Sequence, residues 1–200
     1  NIYTMVRMKS FPPTLVIAII LATGWLCPRS VYAQHYTPDS VKIITYNVMN
    51  GMSRDTSAGK SGFCGWLKSQ DPAIVGFQEL NGFTREKLEA LGAAYGNPYA
   101  ILMERGTYKV GLTSRYPIVD AEVVRDHMTH GFIIARIRDY HVVVAHLAPN
   151  SYKKRRLEIA LILRTIRARD PHLKDKWILM GDLNSLSPLD KAFYAVDDRK

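Results

Sequence analysis

Two cysteines in 200 residues, Cys27 and Cys64, leave no room for a disulfide framework. No segment is of low complexity and none repeats, which excludes solenoids and fibrous arrays. The apolar stretch from Leu15 to Cys27 is too short for a comfortable membrane span. Acidic residues are scarce, 18 against 27 lysines and arginines, for a formal charge of +9. Such a balance favours polyanions without naming one. Histidine is also thin toward the end, where His172 is the only one after His146.

What remains is an ordinary composition, 47% hydrophobic and 22% charged, enough to bury one globular core. Residues 1–33 stand apart. Met5-Val6-Arg7-Met8-Lys9 is basic, Leu15 to Cys27 apolar, and Val31-Tyr32-Ala33 a small-x-small ending before Gln34. That order is the pattern of an export signal. The expected division is a signal peptide at 1–33 and one domain at 34–200. Bulky Trp25 and Leu26 before Cys27 argue against a lipid anchor there. Loss of Arg7, Lys9 and Arg29 lowers the formal charge from +9 to +6 and leaves Cys64 alone. Export without a disulfide suits a bacterial periplasm or surface. The first residue is Asn1 rather than Met, so a reading frame that starts at Met5 or Met8, or a fragment, is expected.

Short β-branched runs bounded by turn residues predict strands at about 41 to 48, 72 to 78, 99 to 104, 108 to 113, 118 to 125, 131 to 138, 140 to 147 and 177 to 182. Helical patterns fall near 59 to 70, 84 to 95 and 151 to 168. Tight joins at Gly106, Tyr116-Pro117 and Asp139 point to antiparallel neighbours between 99 and 147. Runs as apolar as Val142-Val143-Val144 need cover on both faces. The simplest architecture that supplies it is α+β, a four-layer α/β/β/α sandwich of two mainly antiparallel sheets with outer helices.

Four of these runs end in residues that can hold a cation, move a proton or grip a phosphate. Val41 to Tyr46 ends at Asn47, and Ala73 to Phe77 at Gln78 and Glu79. His141 to Ala145 ends at His146, and Trp177 to Gly181 at Asp182, with Asn184 just beyond. Polar groups at several strand ends are expected to gather at one rim. In the 151 to 168 helix, Ile159, Ile162, Leu163 and Ile166 mark a buried face, while Lys153, Ala160, Arg164 and Arg167 share another. With no aromatic residue interleaved, a solvated face is a simpler reading of those cations than a nucleic-acid patch.

In sequence and in order, Thr45-Tyr46-Asn47-Val48, Gly76-Phe77-Gln78-Glu79-Leu80, Gly111-Leu112-Thr113-Ser114-Arg115-Tyr116-Pro117-Ile118, Val144-Ala145-His146-Leu147-Ala148-Pro149 and Met180-Gly181-Asp182-Leu183-Asn184 resemble the endonuclease/exonuclease/phosphatase superfamily, the relatives of deoxyribonuclease I. The resemblance spans residues 41 to about 190. It implies a Mg²⁺-dependent phosphoester hydrolase, with Mn²⁺ as the alternative ion. Glu79 then corresponds to the metal-binding carboxylate and Asn47 to the amide beside it. His146 corresponds to the histidine that bonds a phosphate oxygen or the leaving group. Asp182 would orient the attacking water, and Asn184 would hold the phosphoryl oxygen. Asn150 and His130 are weaker candidates for phosphate contact, and Ser114 to Pro117 is expected to be a structural turn.

Family members carry a further Asp-containing strand and a terminal Asp-His pair. Here Asp197-Asp198-Arg199-Lys200 offers no histidine, so a C-terminally incomplete member is expected, one whose activity is in doubt. Leu80-Asn81-Gly82 lacks the Thr-Lys of many abasic-site repair enzymes, and Ser185-Leu186 lacks the aromatic-Arg of many inositol 5-phosphatases. The substrate expected is a phosphodiester met outside the cytoplasm: nucleic acid, a phospholipid head group or a small phosphodiester. A monomer without a stable protein partner is expected. The competing reading is a non-catalytic polyanion-binding module that retains the fold.

Overall fold

The structure, a computed structural model, describes the backbone of Thr4–Val6 and residues 40–185. The rest of the expected leader and the Asp197-Asp198 tail lie outside the described residues. Among the described residues nine strands form two sheets. In chain order they are β1 (Thr4–Val6), β2 (Ile43–Asn47), β3 (Ile74–Gln78), β4 (Tyr99–Leu102), β5 (Gly111–Ser114), β6 (Ile118–Val124), β7 (Gly131–Ile137), β8 (Tyr140–His146) and β9 (Lys176–Asp182). A single turn, α1 (Met49–Met52), follows β2. The longer helices are α2 (Ser61–Gln70), α3 (Arg85–Ala94) and α4 (Tyr152–Arg169).

One sheet runs β1-β2-β3-β5-β4 and the other β6-β7-β8-β9. Only β2 with β3 and β8 with β9 pair in parallel, and every other described pair is antiparallel. The joins at Gly106 and Asp139 close hairpins, as the sequence leads one to expect. The join at Tyr116-Pro117 does not. It carries the chain from β5 in one sheet to β6 in the other, because Arg115 N bonds to Ala73 O beside β3 and the Arg115 side chain pairs with Asp71. Tyr116 N donates to Ser114 Oγ at 3.0 Å, which makes this motif the structural turn expected of it.

Strand alternation explains the layers. Ile43, Ile74 and Leu112 of the first sheet meet Ile133, Ala135, Val142, Val144 and Met180 of the second in a central apolar layer. The opposite sides of the same strands, Ile44, Val75 and Phe77, pack beneath α2 and α3 through Leu67, Leu88 and Leu91. On the far side, Phe132, Ile134, Val143 and Ala145 receive Ile162 and Ile166 of α4. Each fully buried side chain of this size contributes roughly 1.5–3 kcal/mol of transfer free energy. Strands β3, β7 and β8 are apolar on both faces because both faces are covered. Edge strand β6 is largely exposed, is interrupted between Val119 and Glu122, and carries Asp120 and Glu122, features that blunt an edge.

One detail of α4 departs from its pattern. Leu163 is 42% exposed, while Glu158 is 2% exposed on the packed face with Ile162 and Ile166. Hydrophobic spacing could not reveal a buried carboxylate. Ser151 caps the helix by accepting from Lys154 N, and Thr84 caps α3 by accepting from Lys87 N. Among the described residues no helix is long and apolar enough to cross a membrane.

Candidate active site

Four strands deliver their terminal polar residues to one rim. Register sets Asn47 opposite Gln78 across β2 and β3, and His146 opposite Asp182 across β8 and β9. Gln78 is buried and its Nε2 donates to Thr45 Oγ1, so it belongs to the sheet. The next residue, Glu79, turns outward with φ 64°, and Asn184 adopts φ 47° just after β9. Left-handed backbone costs a non-glycine residue about 1 kcal/mol or more. In both cases it ends a strand and turns a polar side chain toward the rim.

The core of the cluster is one amide held between two carboxylates. Asn47 Nδ2 donates to Glu79 Oε1 at 2.9 Å and to Asp182 Oδ2 at 2.8 Å. Asn47 Oδ1 accepts from Met49 N at 2.9 Å, and Glu79 Oε2 accepts from Asn50 N at 2.8 Å. Asp182 Oδ1 accepts from Asn184 N at 2.9 Å. Two negative charges thus lie within hydrogen-bond reach of a single neutral group. Asn184 spends one Nδ2 hydrogen on Leu147 O at 2.8 Å.

His146 completes the cluster. Its Nε2 lies 3.8 Å from Asp182 Oδ2, and the ring is buried. The His130 ring stacks on it with centroids 4.2 Å apart and planes at 26°. Tyr108 meets both edge-on, 5.2 Å from His130 and 6.4 Å from His146. Burial pushes the pKa of His146 below the ordinary histidine value, partly opposed by the Asp182 and Glu79 carboxylates. His130 is lowered as well, by burial first and by His146 second. A neutral imidazole pair is therefore the state near neutral pH.

Of the residues expected from sequence, Asn47, Glu79, His146, Asp182, Asn184 and His130 come together. Asn150 is exposed beside the α4 cap, and none of the cluster's hydrogen bonds runs to it. Sequence reasoning missed Asn50, Asn81 and Tyr108. Asn81 Nδ2 donates to Asn50 Oδ1 at 2.7 Å and its Oδ1 accepts from Tyr108 N at 2.6 Å, linking the turn after β2 to the loop over His146. Only the Asn81-Gly82 pair just after Glu79 signalled it. A cleft of about 350 Å³ opens beside Asn47, lined by Met49, Met52, Arg54, Asp55 and Phe63.

The donor set fits a hard divalent cation. Glu79 and Asp182 offer carboxylate oxygens, and a reoriented Asn47 would offer a carbonyl oxygen. Among the described residues no group of three His, Cys, Asp or Glu side chains is placed to hold a metal ion. Mg²⁺ asks for only one or two carboxylates and keeps waters and phosphate oxygens for the rest.

A sequence model of the Endonuclease/Exonuclease/phosphatase family matches residues 44–196. The chain belongs to that family. Solved structures agree in fold. A humanised D. rerio TDP2 with 14 mutations is 18% identical with a TM-score of 0.59, over 76% of this chain and 66% of that one. An AP endonuclease from Archaeoglobus fulgidus is 21% identical with a TM-score of 0.57, over 75% and 60%. The 3′ phosphatase NExo from Neisseria, bound to a product DNA hairpin, is 22% identical with a TM-score of 0.54, over 72% and 58%. The family member described here thus spans less than two thirds of the length of these neighbours. No curated protein matches it in sequence.

Proposed function

We propose that this family member is a Mg²⁺-dependent hydrolase of phosphodiesters that acts outside the cytoplasm, with Mn²⁺ as a substitute ion. The observation that carries the reading is the convergence of Glu79 and Asp182 on the Asn47 amide, with His146 Nε2 beside Asp182. Glu79 and Asn47 would hold the cation, which when bound offsets negative charge developing on phosphate oxygens.

The chain's own groups divide the remaining work. Asp182 is held at Oδ1 by Asn184 N, and at Oδ2 by Asn47 Nδ2 until that amide turns toward a cation, so its carboxylate keeps an orientation in which to accept a proton from an attacking water. Positioning a nucleophile in this way lowers the entropic part of the barrier. Neutral His146 donates a hydrogen bond to a phosphoryl oxygen or leaving oxygen from a site that largely excludes water. Asn184 has a second Nδ2 hydrogen beyond the one given to Leu147 O, available to the same phosphoryl group.

Nucleic acid is the favoured substrate class. D. rerio TDP2 is known bound to single-strand DNA product and NExo to a product hairpin, while the exposed Lys153, Lys154, Arg156, Arg164 and Arg167 of α4 add positive charge without an interleaved aromatic to stack on bases. Phospholipid head groups and small phosphodiesters share the same chemistry. That basic face also favours the second reading, a polyanion-binding module without turnover.

Replacing Glu79 with Gln tests the assignment. The fold should persist, because Glu79 packs little at its strand end. Mg²⁺ binding by calorimetry should weaken, and hydrolysis of bis(p-nitrophenyl) phosphate and of a DNA oligonucleotide should fall by at least about a hundredfold. Unchanged affinity and rate would refute the site. DNA binding without turnover in both proteins would favour the binding module. Export is tested by sequencing the N-terminus of secreted material, which should begin at or near Gln34. Cleavage there would also remove Thr4–Val6, the edge partner of β2.

A further inference from the structure

The buried Glu158 has no role in the chemistry above, and its surroundings are unusual for a helix face that packs on a sheet. Ile162 and Ile166, on the same face of α4, fill the layer beneath the helix with apolar volume. A carboxylate placed among them is costly unless its oxygens are satisfied. They are satisfied by two backbone N–H groups. Glu158 Oε1 accepts from Thr129 N at 2.6 Å, and Oε2 accepts from Ala148 N at 2.7 Å.

Those two amides belong to separate segments. Thr129 lies in the bend between β6 and β7 and precedes His130. Ala148 follows β8, two residues after His146. Neither amide sits in a strand or helix. One turn earlier on α4, Arg155 Nη1 donates to Ala148 O at 3.1 Å and to Pro149 O at 2.9 Å, so the segment after His146 is gripped at its N–H and its carbonyls. The histidine stack joins a ring from each segment at the end of the β7–β8 ladder, where Gly131 pairs with His146, and His130 lies just past that last rung, in the bend that Glu158 grips.

Resting on the hydrolase reading, we propose that Glu158 is a positioning residue: it bridges the segments that carry His130 and His146, keeps the two imidazoles stacked, and thereby keeps His146 Nε2 facing Asp182. It touches neither substrate nor the reacting atoms. The bond from each oxygen is charge-assisted, and two such bonds to different segments fix a separation that a single bond could not.

Glu158→Gln separates the claim from general packing. A glutamine of the same shape accepts from one N–H and turns its own NH₂ toward the other, so one half of the bridge is lost while volume is kept. In the full chain, long-range ¹H–¹⁵N spectra should show the ring signals of His130 and His146 moving in E158Q. Those of His141, which stacks on Trp177 far from the bridge, should stay in place. The kcat on bis(p-nitrophenyl) phosphate should fall about tenfold to a hundredfold, as small misplacements do, with KM changed less than about threefold. Glu89→Gln, which breaks an exposed ion pair on α3, should leave signals and rate unchanged.

Should E158Q fail to fold, amide exchange in the unaltered protein still decides. The Thr129 and Ala148 N–H groups should be protected although both lie outside strands and helices, and rapid exchange of the pair would overturn the bridge. Unmoved His130 and His146 signals in folded E158Q, or equal movement of every histidine, would overturn it too. Absence of turnover in the unaltered protein would instead refute the hydrolase reading, and the ring signals would still judge the positioning role.

Discussion

At residue scale, the histidine pair ties stability to pH in a defined direction. His146 and His130 are both held below the ordinary histidine value of about 6.5. An unfolded chain takes up protons as pH drops through that value, while the folded rings resist them. The contribution is therefore complete above about 6.5 and is lost as pH falls through the depressed folded values. Asp55, Asp139 and Asp170, lowered mainly by hydrogen bonds, lose theirs only below the normal aspartate range near 3.8. The histidine window opens at the higher pH. Urea unfolding between pH 7.5 and 5 should thus show declining stability, and a His130→Gln, His146→Gln variant should flatten that decline. An equal slope in the variant would mean that other groups carry it.

Elements were largely legible in the sequence because each obeys a local rule. The runs from Val41, Ala73, His141 and Trp177 are strands since their alternate residues face either an outer helix or the central layer, and α3 and α4 begin at capping residues. The gathering of Asn47, Glu79, His146 and Asp182 at one rim follows from the parallel sense of β2 with β3 and of β8 with β9, which carries like ends to like places. What local rules could not show depends on tertiary bonds. The crossing at Tyr116-Pro117 is set by Ala73 and Asp71, the burial of Glu158 by amides in two distant bends, and the link from Asn81 to Tyr108 by a loop far along the chain.

Gly181 is the element-scale test of how β9 aims Asp182. Its φ is 140°, and a Cβ there would overlap Ala145 O on the paired strand. Gly76 is constrained differently, since it faces the central layer, where a Cβ would come within 2.8 Å of Met180 Cε and 3.0 Å of Val144 Cγ1. A methyl at Gly76 therefore meets side chains, the flexible Met180 end and the stiffer Val144, whereas one at Gly181 meets backbone. Gly181→Ala should cost on the order of 1–3 kcal/mol by strain and overpacking, and should displace Asp182 enough to lower phosphodiester turnover. Gly76→Ala should cost less and spare turnover relative to stability. Denaturant midpoints and initial rates of the two variants check the ordering, and a Gly181→Ala protein with normal rate would show that β9 tolerates the shift.

At the scale of the whole molecule, a close pair of carboxylates is a stability liability that a cation can relieve. Glu79 and Asp182 both bond to the one Asn47 amide, while the ammonium groups of Lys60 and Lys109 donate to backbone carbonyls instead. On the proposed reading, Mg²⁺ binds the folded chain and not the unfolded one. It should then stabilise the fold by about 2.7 kcal/mol at a hundred times its Kd, with thermal midpoints that rise as the logarithm of Mg²⁺ concentration. Chelation should reverse the rise. Glu79→Gln separates this effect from ordinary salt screening, because it removes one carboxylate of the pair while keeping an acceptor for only one of Asn50 N and Asn47 Nδ2. Whatever its stability without metal, it should gain little when Mg²⁺ is added. A thermal shift that persists in Glu79→Gln, or that K⁺ at matched ionic strength reproduces, would mean that the cation acts on the general charge of the molecule and not at the rim where the four strands end.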